Sequence, residues 1–243
     1  MHIIKLNATS STNAFLKDLL LTKNVKDFTV VVANKQTTGR GQMGTNWISE
    51  EGKNLTFSLL KKEILLDVSR QFELNMKVSL AIFDALSELN IPNLSIKWPN
   101  DILSANQKIC GILIENILSG SKIQLSVIGI GLNVNQLLFD DLPKVASLKL
   151  IKGVSFNLDE VLHAILLKLE VGLKNFNITS YKELSEAYQK RLFRINKPST
   201  FKNINGETFM GFIKGISQEG KLQVLLEDDI LEEFALKEIQ LLY

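Results

Sequence analysis

The 243-residue sequence predicts an α+β fold, a mixed sheet with helices packed on it, followed by a small C-terminal β-barrel. Three observations carry this. Dense β-branched runs at 28–36, 54–60 and 123–135 suit buried strands. Apolar residues recur at helical spacing through 72–89, 158–176 and 181–193. After Asn196 the pattern changes to alternation punctuated by turn residues. The division expected is residues 1–194 for the larger unit and 195–243 for the smaller. With 45% apolar residues and a formal net charge of +2, the chain is neither disordered nor dominated by a nucleic-acid footprint.

The elements follow in order. Thr9 to Leu21 opens on hydroxyl residues suited to cap a helix and then places Phe15, Leu16, Leu19 and Leu20 on one face. "FTVVVANKQ" and "NLTFSLL" read as neighbouring strands joined by the glycine-rich loop "KQTTGRGQMGTNW", Lys35 to Trp47. Phe72 to Leu89 carries Leu74, Val78, Ala81, Ile82, Ala85, Leu86 and Leu89, the stripe of a long helix lying on the sheet. "LSIKWPND", "KICGILIENIL" and "IQLSVIGIGLNVN" read as three short strands. Gln136 to Gly153, with Pro143 and the Asp140–Asp141 pair, reads as an irregular, mobile cover. Asn205-Gly206 and Glu219-Gly220 mark hairpin turns in the C-terminal part.

The lone Cys110 lies in an apolar run and fits a reduced interior thiol. The N-terminal residues lack a secretory h-region, and no run approaches the roughly 20 apolar residues of a membrane helix, so the expected setting is cytoplasmic. His2, His163 and Cys110 are too scattered for a metal cluster, and any metal is expected to arrive with a substrate.

Four motifs stand out. In the loop, Gly39, Gly41 and Gly44 let successive backbone N–H groups converge on an anion, and Arg40 adds a fixed cation. In "KWPND", Pro99 ends a strand and sets Asn100 and Asp101 at its exit, where ligands commonly bind. In "KICGILIE", Gly111 leaves room in a bulky run beside Lys108. In "GIGLNVN", Gly129, Gly131 and Asn133 close a buried strand, without the third glycine of a dinucleotide fingerprint. Each alone is also ordinary turn chemistry.

In this order and spacing, "SSTN", "KQTTGRGQMGTNW", "KWPND", "KICGILIE" and "GIGLNVN" resemble the catalytic module of biotin protein ligases. The resemblance implies a class II aminoacyl-tRNA-synthetase-like catalytic domain with an SH3-like C-terminal barrel, which covers nearly the whole chain. It implies that biotin and MgATP form biotinyl-5'-AMP, and that a lysine of a biotin carboxyl carrier protein then attacks it. On the matching positions, Ser11, Thr12, Asn13, Gln36, Gly39, Arg40, Gly41, Gln42, Lys108, Gly111 and Gly131 would bind biotin. Arg40, Trp47, Asn100, Lys108 and Asn133 would bind the nucleotide. Arg40, Lys108 and Asp101 would carry the chemistry, Asp101 as a base for the acceptor amine or on the ATP-magnesium side. Trp47 would anchor the closed loop.

Two departures from the family pattern stand out. Many members have arginine where this chain has Gln42 and Thr45, so a looser hold on the adenylate is expected. "SSTN" begins within the first dozen residues, so a ligase without DNA-binding repressor function is expected, with no membrane association and as a monomer or homodimer. A lipoate or octanoate ligase would usually carry a glycine triplet, which is missing here, and a non-catalytic adenylate sensor would not need Arg40, Lys108 and Asp101 together.

Overall fold

The computed structural model describes residues 1–139, 142–174 and 180–243, with the side chains of Met43 and Asp228 excepted. The first sheet is built from β1 (His2–Thr9), β2 (Thr29–Gln36), β3 (Leu55–Asp67), β4 (Leu94–Lys97), β5 (Asp101–Ser104), β6 (Gln107–Ser119) and β7 (Lys122–Leu132). Its strand order is β1-β2-β3-β7-β6-β5-β4. Only β1 and β2 run parallel, so the sheet is mixed as the sequence predicts.

Helices cover both faces. Helix α1 (Thr12–Thr22) covers one, packing Leu16 against Val31, Leu60 and Val127. Helices α2 (Phe72–Glu88), α4 (Leu158–Lys174) and α5 (Tyr181–Gln189) cover the other, where Val30, Leu59 and Ile128 point. Adjacent strand residues thus feed opposite cores, which is why the central strands read as unbroken apolar runs. The half-exposed edge strand β1 was not expected from sequence.

Three expectations change in this half. Ser11 takes the N-cap position of α1 but makes no side-chain cap bond, and the first helical N–H, that of Thr12, donates to Gln36 Oε1 at 2.8 Å. "LSIKWPND" is two strands: Pro99 cannot donate to a ladder, and β4 turns there into β5. Gln136 to Gly153 is not irregular throughout. Lys144 to Ala146 runs along Lys108, with Lys108 N–H donating to Lys144 O at 2.7 Å and Ala146 N–H to Lys108 O at 3.0 Å. Helix α3 (Leu148–Lys152) follows, capped by the Ser147 hydroxyl and ended by Gly153 at φ 74°. Asp140, Asp141 and Phe176 lie outside the described residues.

The second sheet comprises β8 (Pro198–Asn203), β9 (Thr208–Ile216), β10 (Leu222–Leu225), β11 (Leu231–Phe234) and β12 (Ile239–Leu242). Gly206 and Gly220, at φ 87° and 89°, turn the two expected hairpins. The expected barrel is corrected to an open antiparallel sheet ordered β11-β10-β9-β8-β12, for among the described residues no ladder joins β11 to β12. It meets the first sheet at the "KWPND" turn, where Trp98 Nε1 donates to Gly220 O at 2.8 Å.

Candidate functional site

The N-terminus of α1 supplies one end of the site. Ser11, Thr12 and Asn13 are buried, at 4%, 3% and 4% exposure, although they are polar. Their partners come from distant strands. Gln36 Oε1 accepts from Thr12 N and Oγ1, and Ser58 Oγ lies 2.7 Å from Thr12 Oγ1 and 2.5 Å from Asn13 Oδ1. Asn13 Nδ2 donates to Glu115 Oε2 at 2.8 Å, and Lys17 pairs with the other carboxylate oxygen at 2.6 Å. A satisfied buried network of this kind fixes each rotamer and leaves little slack. Gly129 lies against it: a Cβ there would stand 2.5 Å from Asn13 Oδ1.

The glycine loop closes on itself. Gly41 N–H donates to Thr45 O at 2.7 Å and Trp47 N–H to Gly39 O at 2.9 Å, around a short 3-10 turn at Gln42–Gly44. This hairpin lays the Trp47 indole on the two strand glycines. A Cβ on Gly111 would lie 3.2 Å from its Cζ3, and one on Gly131 would overlap the ring. The room expected beside Gly111 is therefore filled by Trp47, whose Nε1 is buried without a hydrogen-bond partner. Arg40 is exposed and has no ion-pair partner among the described residues.

The strand ends supply the charged side of the site. Lys108 Nζ on β6 lies 2.6 Å from Asp101 Oδ1 on β5, a close ion pair whose angles do not make a hydrogen bond. Lys97 lies opposite Asp101 in the β4–β5 ladder. Burial lowers the Lys97 pKa, and the neighbouring Lys108 charge lowers it further against the pull of Asp101. Asn100 holds the turn to β6, donating through Nδ2 to Ile112 O at 2.7 Å. Burial raises the Cys110 pKa, so the thiol stays protonated.

All three regions open onto one cavity of about 740 Å³, a size suited to a small organic ligand. Arg40, Lys97, Lys108, Lys202 and Lys237 line it against Asp101 as the one acidic lining residue among those described. It therefore offers neutral hydrogen-bonding groups at one end and excess positive charge at the other, as an acid activated through a phosphate requires.

The sequence pattern of the biotin/lipoate A/B protein ligase family matches residues 6–133, more than half of the chain. The chain belongs to that family. Its similarity to the bifunctional ligase/repressor BirA of Bacillus spizizenii is 32% identity over 235 residues, 94% of this chain and 71% of the relative. With the biotin–[acetyl-CoA-carboxylase] ligase of Mycobacterium tuberculosis it shares 26% over 217 residues, 88% of this chain and 79% of the relative. The solved Aquifex aeolicus biotin protein ligase in complex with biotin and ATP superposes with a TM-score of 0.80 at 29% identity, covering 99% of this chain and 98% of that one.

Within this biotin/lipoate ligase fold, Ser11, Thr12, Asn13, Gln36, Arg40, Gly41, Gln42, Trp47, Asn100, Asp101, Lys108, Gly111 and Gly131 all line the cavity. Gly39 and Asn133 do not. A Cβ on Gly39 would meet the Trp47 carbonyl, and Asn133 is buried at 2% exposure with its N–H on Ile109 O and its Oδ1 unpaired. Gly129 is marked by its motif but without a site role, and Lys97 belongs to "KWPND" without one; Ser58 and Glu115 give no signal in the sequence beyond being polar in apolar strands. Among the described residues no helix is long and apolar enough to cross a membrane.

Proposed function

We propose that this chain is an ATP-dependent ligase that activates biotin as biotinyl-5'-AMP and transfers the biotinyl group to a lysine of a biotin carboxyl carrier domain. The observation that carries the reading is the polarity of the cavity: a neutral buried network at Ser11–Asn13, with Arg40, Lys97 and Lys108 beyond it. In the first step a biotin carboxylate oxygen attacks the α-phosphorus and pyrophosphate leaves. Arg40 and Lys108 offset the repulsion between the two anions and stabilise the charge that develops. In the second, the carrier amine attacks the acyl carbon, AMP leaves, and Asp101 stands at the strand exit to accept the amine proton.

Ser11, Thr12, Asn13 and Gln36 present hydroxyl and amide groups to the ureido ring, with Gly111, Gly129 and Gly131 keeping the strand surface flat beneath it. The Trp47 indole now covers that surface, so the Arg40–Trp47 loop lifts to admit biotin and closes again over the adenylate. Among the described residues Asp101 is the single carboxylate lining the cavity, and it already faces Lys108. This fits magnesium entering on the ATP phosphates, held by the substrate with at most one protein carboxylate. Residues 1–194 form the catalytic unit in this reading and 195–243 the SH3-like one.

The test is to incubate the protein with MgATP, a biotin carrier domain, and biotin or lipoate in separate reactions, and to weigh the carrier. Biotin is expected to add one biotinyl group. No shift with biotin, or a shift with lipoate alone, would overturn the proposal.

A further inference from the structure

Tyr243 belongs to no motif of the sequence, yet its ring lies against Lys97, which lines the charged end of the cavity. Lys97 Nζ is 4.8 Å from the ring centroid and Lys144 Nζ 4.2 Å, and Phe193 meets it edge-on at 5.0 Å. The phenol feels the site: its pKa is raised by burial first and then by the Asp101 charge. Lys144 is brought there by the backbone pairing that carries residues 144–146 along Lys108. Two ammonium groups over one ring, with the nearby carboxylate already engaged by Lys108, form a positive cluster in excess of its counter-charge. Lys97 is partly buried and Lys144 exposed, so an anion reaching both gains two charge-assisted contacts without displacing, among the described residues, a carboxylate from either.

Resting on the ligase reading, we infer that Lys97 and Lys144, positioned by the Tyr243 ring, hold the β- and γ-phosphates of the nucleotide and receive the pyrophosphate that leaves. The α-phosphate must lie beside the acid, between the polar network and Lys108. Of the cations beyond Lys108, Lys202 and Lys237 belong to the second-sheet part, whereas Lys97 lies opposite Asp101 in the ladder and shares the Tyr243 ring with Lys144, which puts this pair next in line from Lys108. Gln42 and Thr45 bring no charge to the loop, so this cluster supplies charge that the loop lacks. Tyr243 is a positioning residue here, and Lys97 and Lys144 are binding residues.

The experiment is calorimetric titration with magnesium pyrophosphate in the absence of biotin, with AMP and biotin titrated separately. Lys97→Met keeps the aliphatic stem and is expected to weaken pyrophosphate binding about tenfold. Lys144→Ala, at an exposed position, should do so by roughly threefold to tenfold. Tyr243→Leu keeps apolar volume without a ring face and should weaken it about threefold, whereas Tyr243→Phe should restore it. Biotin and AMP affinities should hold in every folded variant. Pyrophosphate affinity equal to wild type in Lys97→Met and Tyr243→Leu, or no pyrophosphate binding by the wild-type protein, would overturn the inference. A wild-type protein that binds pyrophosphate in this pattern but labels no carrier would instead remove the ligase reading and leave this site standing.

Discussion

Replacing Gly129 by alanine probes the buried network on which ligand orientation depends. The added methyl would stand 2.5 Å from Asn13 Oδ1, 3.0 Å from its Cγ and 3.1 Å from its Nδ2. The carboxamide cannot slide away without cost, for Ser58 Oγ holds it at 2.5 Å, Glu115 Oε2 at 2.8 Å and Leu113 O at 3.3 Å. One of these bonds is to a carboxylate, worth about 1.5–3 kcal/mol, and the two neutral ones contribute about 1 kcal/mol each. Partial relaxation of the strand returns some of that, so a loss of about 2–3 kcal/mol in urea denaturation is expected. Biotin affinity, read by calorimetry, should fall about tenfold or more while ATP affinity stays within about threefold. In a double-mutant cycle with Asn13→Ala, the cost of the methyl should largely vanish, because nothing remains for it to strike. Additive costs in that cycle, or a Gly129→Ala protein as stable as wild type, would refute the steric reasoning.

Three other outcomes follow from the same geometry. Lys108→Ala should slow biotin-dependent pyrophosphate release by about 10²–10³-fold under saturating substrates, and cost about 1–3 kcal/mol of stability because it leaves the mostly buried Asp101 carboxylate without its closest cation. Lys108→Arg should recover part of the rate, and an unchanged rate in the alanine variant would remove Lys108 from the mechanism. Gln42→Arg or Thr45→Arg should slow biotinyl-AMP dissociation by about threefold to tenfold in a pulse-chase measurement, since each adds a cation at the cavity wall. Cys110, fully buried with its thiol held protonated, should resist an aromatic disulfide reagent at pH 8 in the native protein and react at once in urea.

The central strands were legible because Val30 and Val31 feed opposite cores and so leave no polar face to disguise the run. The edge strand β1 has one solvated side and only a weak alternation, and its pairing with β2 is a tertiary fact. Alternation after Asn196 predicts strands but says nothing of closure, which depends on whether β11 and β12 pair; here β12 goes to β8. At the site, Ser11, Thr12 and Asn13 were readable as a polar patch. Their partners Ser58 and Glu115 were not, because the strand order that sets β7 between β3 and β6 brings them together. The space beside Gly111 was readable as space, while its present occupant, Trp47, is set by the loop hairpin.

The most direct test of the central claim is an acid-quenched single turnover: protein in excess over biotin, with MgATP and no carrier, resolved by mass spectrometry. The account predicts biotinyl-5'-AMP and pyrophosphate in equal amounts, dependent on biotin, with the adenylate consumed when a carrier domain is added. ATP turnover without biotin dependence, or carrier labelling that never passes through the adenylate, would contradict it.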